Sequence, residues 1–255
     1  MPAFSTPAIM LRRVDYGDYD LILTFFSLKR GKISLIAKAA KKSTRRFGGI
    51  LELFSVLDLV GTTGRGKGLP VLQEAVLKNP FSAIRADVRK TAYASYWAEL
   101  IHDWMQEYER QDELYFLFKY VLGQLDSGRL REENLSVLFQ MRLLTLSGHL
   151  PNLMQCCRCR TSLEASGHHK LSFDIVRGGI ICSGCAPTSS GGVSLSMGAI
   201  KQLIWVGSGD LARASKIRFS SSAIEEASAF LEAFVPYHLG KQPRSLKFLR
   251  QIRQG

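Results

Sequence analysis

Over the first eighty residues, apolar and polar positions alternate in short runs, each broken after about ten residues by turn-forming residues, as in strands of a small sheet. The expected strands are Ala8 to Val14, Leu21 to Ser27, Lys32 to Lys38, Leu51 to Val60 and Val71 to Leu77. Asp15-Tyr-Gly-Asp, Lys29-Arg-Gly-Lys and Thr62 to Gly68 supply turns, and Lys41 to Gly49 is a longer basic connection. Short strands joined this way predict a barrel of the OB type over residues 1–80.

Beyond Pro80 the apolar period becomes helical. Tyr93, Tyr96, Trp97, Leu100, Ile101, Trp104, Met105 and Tyr108 share one face, expected to be bundle core rather than an exposed stacking surface. Leu114, Leu117, Phe118, Val121 and Leu125 form a second stripe. Leu135, Leu138, Phe139, Leu143 and Leu146 form a third, interrupted by Arg142 and closed by Gly148 and Pro151. Further on, Ser189-Ser-Gly-Gly reads as a joint. Ser196 can cap a helix carrying Ile200, Leu203 and Ile204, and Ser221 or Ser222 can cap one carrying Ile224, Leu231 and Phe234. The expected class is α+β: an N-terminal OB-fold barrel followed by an α-helical domain, 81–255, into which a four-cysteine zinc ribbon, 152–190, is inserted.

The ribbon rests on Cys156-x-x-Cys159 and Cys182-x-x-Cys185, two pairs separated by 22 residues. Each pair can present two sulfurs to one ion, and together they complete the tetrahedron that zinc prefers. Four thiolates leave no position for water, so the expected zinc, one ion, is structural rather than catalytic. Phe173 to Ile181 reads as two short strands around Gly178-Gly179. Cys157 leaves open a register in which it ligates in place of Cys156. His168 and His169 are expected to be loop residues.

Charge then separates the ends from the middle. Residues 1–80 hold 13 Lys/Arg against 6 Asp/Glu, a net +7, and residues 240–255 hold 5 against none, while the stretch between them sums to zero. Such concentration suits a polyanion. The candidate DNA-binding residues are Arg12, Arg13, Lys29, Arg30, Lys38, Lys41, Lys42, Arg45 and Arg46, interleaved with Tyr16, Tyr19, Phe25, Phe26 and Phe47 as stacking candidates. Alternation allows at most one of Phe25 and Phe26 to stack. The tail fits either a docked terminal helix, through Leu246, Phe248, Leu249 and Ile252, or an anionic surface. No apolar run is long enough to span a bilayer and no secretory leader is apparent, so a soluble, cytoplasmic chain is expected. Gly61 to Gly68 nearly spells a phosphate-binding loop but lacks the hydroxyl after Lys67, and Leu69-Pro70 stands where a helix should begin. No other local catalytic motif emerges, which favours binding over catalysis. An RNA-binding module built from an OB barrel and a zinc ribbon would share these features.

Leu11-Arg-Arg-Val-Asp-Tyr-Gly-Asp-Tyr-Asp, Arg30-Gly-Lys-Ile-Ser-Leu-Ile-Ala-Lys and Arg45-Arg-Phe-Gly-Gly-Ile-Leu-Glu-Leu-Phe-Ser resemble the N-terminal signature of the bacterial RecO family. The likeness continues through Gly148-His-Leu-Pro and the paired cysteines to Arg244-Ser-Leu-Lys-Phe-Leu. It implies a recombination mediator in DNA repair, not an enzyme, that binds single- and double-stranded DNA and anneals complementary strands. It also implies action with RecR, and with RecF and RecA as further partners, on DNA coated by single-stranded DNA-binding protein, whose C-terminal tail is contacted too. The implied location is the bacterial cytoplasm, at the nucleoid, with no membrane partner.

Overall fold

In a computed structural model of the chain, residues 3–63, 68–162, 170–186, 192–208 and 210–254 are described. His168 and His169, most of the Ser189-Ser-Gly-Gly joint, and Gly66 and Lys67 of the glycine-rich turn lie outside them. Two compact units are formed, residues 1–128 with 243–255, and residues 129–242. Secondary structure changes type at residue 80, but the units divide elsewhere.

The first unit opens with β1 (Ala3–Tyr16), β2 (Asp20–Ser27), β3 (Gly31–Ala37), the one-turn α1 (Thr44–Phe47), β4 (Val56–Thr62) and β5 (Val71–Asn79). The strands close in the order β1-β2-β3-β5-β4, with β3 and β5 parallel and the other pairs antiparallel. This is an OB-fold barrel. Leu21, Leu23 and Phe25 alternate inward along β2 and meet Ile33, Leu35, Leu57, Leu59 and Leu72 in the core. The fourth strand begins at Val56 rather than Leu51. Phe54 is left-handed at φ 69°, and residues 54–55 exchange main-chain bonds with Met10, beside the β1 irregularity between Met10 and Arg12. Where a phosphate-binding loop would open a helix, β5 pairs back on β4 as a hairpin.

The same unit continues with α2 (Ser82–Arg85), α3 (Val88–Trp104), α4 (Asp112–Ser127) and, from the end of the chain, a helix at Arg244–Gln254. Asp87 caps α3 by accepting from the amides of Arg89 and Lys90. Tyr93, Tyr96, Trp97, Leu100, Ile101 and Met105 are buried, as expected of core. The helix ends at Trp104, however, and Tyr108 lies beyond it, left-handed and exposed. The segment after α3 covers the start of β3: the Tyr108 amide donates to the Lys32 carbonyl at 2.9 Å, and Lys32 Nζ donates to the His102 carbonyl at 2.6 Å. Gly31 faces the Glu109 carbonyl there, at φ 63°, with no room for a Cβ.

In the second unit, α5 (Glu132–Leu146) precedes a three-stranded sheet of β6 (Lys170–Asp174), β7 (Gly179–Ile181) and β8 (Val193–Ser196), in the order β7-β6-β8. Helices α6 (Met197–Ser208), α7 (Leu211–Ala214) and α8 (Ser221–Leu239) follow, and the C-terminal helix of the first unit is α9. Ser196 caps α6, accepting from Ala199 at 3.2 Å. Ser220 caps α8, one residue before the expected positions, because its hydroxyl meets the Ala223 amide. The ribbon sheet leans on α8 through Phe173, whose ring lies 4.6 Å from Phe230 and 5.2 Å from Phe234. No helix among the described residues is long and apolar enough to cross a membrane.

Candidate nucleic-acid interface and metal site

The Sγ atoms of Cys156, Cys159, Cys182 and Cys185 all lie within 4.8 Å of one another. Each pair sits on a tight turn. In the first, the Cys156 amide bonds the Thr161 carbonyl at 3.0 Å while Arg160, left-handed at φ 63°, reverses the chain; in the second, the Cys185 and Ala186 amides bond the Cys182 carbonyl at 3.0 and 2.9 Å. Residues 152–157 run along β7, with Asn152 and Cys157 amides donating to Gly178 and Ile180 at 2.8 Å. Gly179 is needed there, since a Cβ would come 2.8 Å from the Cys157 Cβ, and Gly178 is left-handed at φ 64°. The Cys157 thiol points to the Gly179 carbonyl and stands outside the cluster, which decides the register in favour of Cys156.

A tetrahedral four-thiolate centre with bonds of ~2.3 Å separates its sulfurs by about 3.8 Å, and Cys159 and Cys182 are 3.6 Å apart. Burial opposes ionisation of Cys156, but the amides of Cys182, Cys159 and Arg158 outweigh it and hold the thiol down to about 6. Cys185, hydrogen-bonded to Cys182 and Cys159, is pushed up to about 12. Four thiolates this close require a cation to remain ionised together, so the cluster fits a metal ion.

The cationic residues of the barrel divide between its two ends. Lys29 and Arg30 lie in the β2–β3 turn, where the Lys29 amide meets Thr6 and Arg30 stacks 4.2 Å over Phe4. At the other end, Asp20 organises the 38–47 connection by accepting from the Ala39 amide and Lys38 Nζ, both at 2.8 Å, and these bonds lower its pKa. Lys41 pairs with Asp15 at 3.0 Å, Arg13 with Glu52 at 3.3 Å, and Arg46 donates to the Lys38 carbonyl at 2.8 Å. Lys38, Lys41, Lys42, Arg45 and Arg46 are thus brought together on one connection, and Arg13, opposite Leu23 on β2, reaches the groove beside it. The eight residues of β2 put about 25 Å between that connection and Lys29–Arg30. Arg12, exposed, pairs across to Thr24 part-way along β2. Among the described residues, Arg12, Lys29 and Arg45 form no ion pair.

A groove of 210 Å³ at the cationic end is lined by Arg13, Lys41, Ser43, the Gly48-Gly49 main chain and Glu52. Tyr16 and Tyr19 are exposed beside it, and Lys42 Nζ lies 3.3 Å from the Tyr19 ring centroid. Both tyrosines remain available for stacking. The phenylalanines do not. Phe25 and Phe47 fill the barrel core, and Phe26, also buried, packs outside the barrel on Tyr115 of α4 at 6.0 Å. Alternation allowed one of Phe25 and Phe26 an outward face but carried no information about the helix that covers Phe26.

The chain has relatives among known proteins. A family model described as recombination protein O, N terminal, matches residues 1–81, and one described as recombination protein O, C terminal, matches residues 85–247. The chain belongs to the RecO family. Among relatives named DNA repair protein RecO, that of Desulfatibacillum aliphaticivorans is 45% identical over 255 residues, covering 100% of this chain and 99% of the relative. That of Desulfosudis oleivorans is 46% identical, covering 99% of each chain, and that of Anaeromyxobacter dehalogenans 34%, covering 96% and 94%. Membership supports a role in DNA repair.

Proposed function

We propose that this chain is a recombination mediator. It binds single- and double-stranded DNA through the barrel at residues 1–80, anneals complementary strands, and helps load RecA, together with RecR, on DNA coated by single-stranded DNA-binding protein. RecF and the C-terminal tail of the single-strand binding protein are its further partners. The observation that carries this reading is the cationic end of the OB barrel in a chain of this family. There Arg13 and Lys41 line a groove, the connection that holds Lys41 also carries Lys38, Lys42, Arg45 and Arg46, and Tyr16 and Tyr19 are exposed in the adjoining β1–β2 turn. Neutralising phosphates lowers the repulsion between two strands, and sequence-tolerant stacking leaves their bases free to search for partners. The chain acts by binding and carries out no catalysis. The four cysteines hold one zinc ion that braces the ribbon against α8. Its place of action is the bacterial cytoplasm, at the nucleoid.

The deciding experiment is annealing of complementary strands pre-coated with single-strand binding protein, with and without RecR. Annealing of coated strands that depends on this chain is expected. No acceleration over the coated strands alone would refute the reading, and preference for RNA over single-stranded DNA in direct competition would replace it with an RNA-binding role.

A further inference from the structure

Counted by compact unit, the positive charge is not confined to the barrel and the tail. The unit of residues 129–242 holds 12 Lys/Arg against 8 Asp/Glu, a net +4. Arg213, Lys216 and Arg218 follow one another with no carboxylate between Asp210 and Glu225. This basic segment lies alongside α6, where Gln202 Nε2 donates to the Arg218 carbonyl at 3.3 Å. Lys201 and Trp205 stand one turn apart on α6, and with Gln202, Ile217 and Arg218 they line an open cleft of 320 Å³. Trp205 is 49% exposed, whereas Trp97 is fully buried. A half-exposed tryptophan between a lysine and an arginine is not explained by core packing.

We propose that this cleft is a second contact for single-stranded nucleic acid, in which a base stacks on Trp205 while Lys201 and Arg218 take the adjoining phosphates. The inference rests on the nucleic-acid reading above but places a contact in the other compact unit. The surface suits a base better than a peptide side chain. It is open, its apolar lining is confined to Trp205 and Ile217, and it offers a flat ring beside two cations rather than an enclosed pocket. In a duplex the bases are already stacked on one another, so the contact selects single strands.

The test follows Trp205 fluorescence and binding of a labelled 15-residue oligothymidylate to the full chain. Oligothymidylate is expected to quench the wild-type emission. Trp205→Ala is expected to bind it about tenfold more weakly, Trp205→Phe to retain most of the affinity, and a 15-base-pair duplex to bind all three alike. Replacing Lys201 and Arg218 by Ala should flatten the log-salt slope for oligothymidylate by about 1.4 units, which gives an independent reading should Trp205→Ala fold poorly. Unchanged affinity and slope in these variants, with weakening on loss of the barrel cations, would overturn this inference and leave the barrel reading standing. If neither set of variants matters, both fall. Quenching by an acidic decapeptide but not by oligothymidylate would assign the cleft to a protein tail and overturn the proposal.

Discussion

Replacing Lys41, Lys42, Arg45 and Arg46 together by Ala removes four of the six cations at one end of the barrel, and the structure sets the size of the expected effect. A cation that neutralises a phosphate contributes about 0.7 units of log-salt slope on single strands, so the variant should be flatter by up to about 2.8 units. Between 50 and 200 mM salt the wild type should therefore lose about 50-fold more affinity than the variant loses. Lys41 already pairs with Asp15 at 3.0 Å. Exposed pairs of this kind are worth about 0–1 kcal/mol, so a phosphate can displace the carboxylate, and Lys41 counts nearly in full. Arg46 also holds the Lys38 carbonyl and lies 4.8 Å over Phe47, so a melting curve must accompany the titration. Fluorescence anisotropy with a labelled oligothymidylate at four salt concentrations measures the slope. Lys29→Ala with Arg30→Ala, at the far end, should change it by less than half as much. Equal slopes for wild type and the fourfold variant, in a folded protein, would refute the assignment of this end to DNA.

Three further outcomes follow from the geometry. Purified chain should carry one zinc ion, measured by atomic emission: Cys159→Ser should release it and lower the melting midpoint, Cys157→Ser should retain it, and Gly179→Ala, whose Cβ meets Cys157 at 2.8 Å, should cost about 1–3 kcal/mol. Gly31→Ala should destabilise the barrel by at least about 2 kcal/mol in urea titration, because the new methyl meets the Glu109 carbonyl at a left-handed φ. His238 is held below the usual 6.5 first by burial and then by neighbouring His149, 4.6 Å away between ring centroids; the unfolded chain then binds the proton more readily, so stability should fall as pH drops from about 6.5 toward the folded value. The melting midpoint of His238→Gln should vary less over that window.

What was legible in the sequence was whatever repeats locally. Period-two alternation located the five barrel strands, period-3.6 stripes located the core faces of α3, α4 and α5, and the cysteine spacing named the four clustered sulfurs. The failures are tertiary. Phe26 is buried by α4, ninety residues further along the chain, and Phe47 turns inward because α1 closes one end of the barrel. In the tail, Leu246 and Leu249 are buried but Phe248 is 43% exposed. Glu99 of α3 sets that docking, accepting from the amides of Arg244 and Ser245 at 2.9 and 2.8 Å across 145 residues of sequence. No local pattern announces such a capping acid.

Charge, too, is regrouped by tertiary structure. Summed along the chain, residues 81–239 are neutral, and the barrel and tail hold all the excess. The fold regroups these charges. Residues 81–128, which carry 5 Lys/Arg against 8 Asp/Glu, join the barrel, and the tail joins them, leaving net charges of +8 and +4 in the two units. Attraction to a polyanion depends on which charges move together as one body, and by that measure both units are cationic. The unit of residues 129–242 therefore offers nucleic acid a positively charged surface of its own. Trp205 is the feature of that surface that can tell a single strand from a duplex.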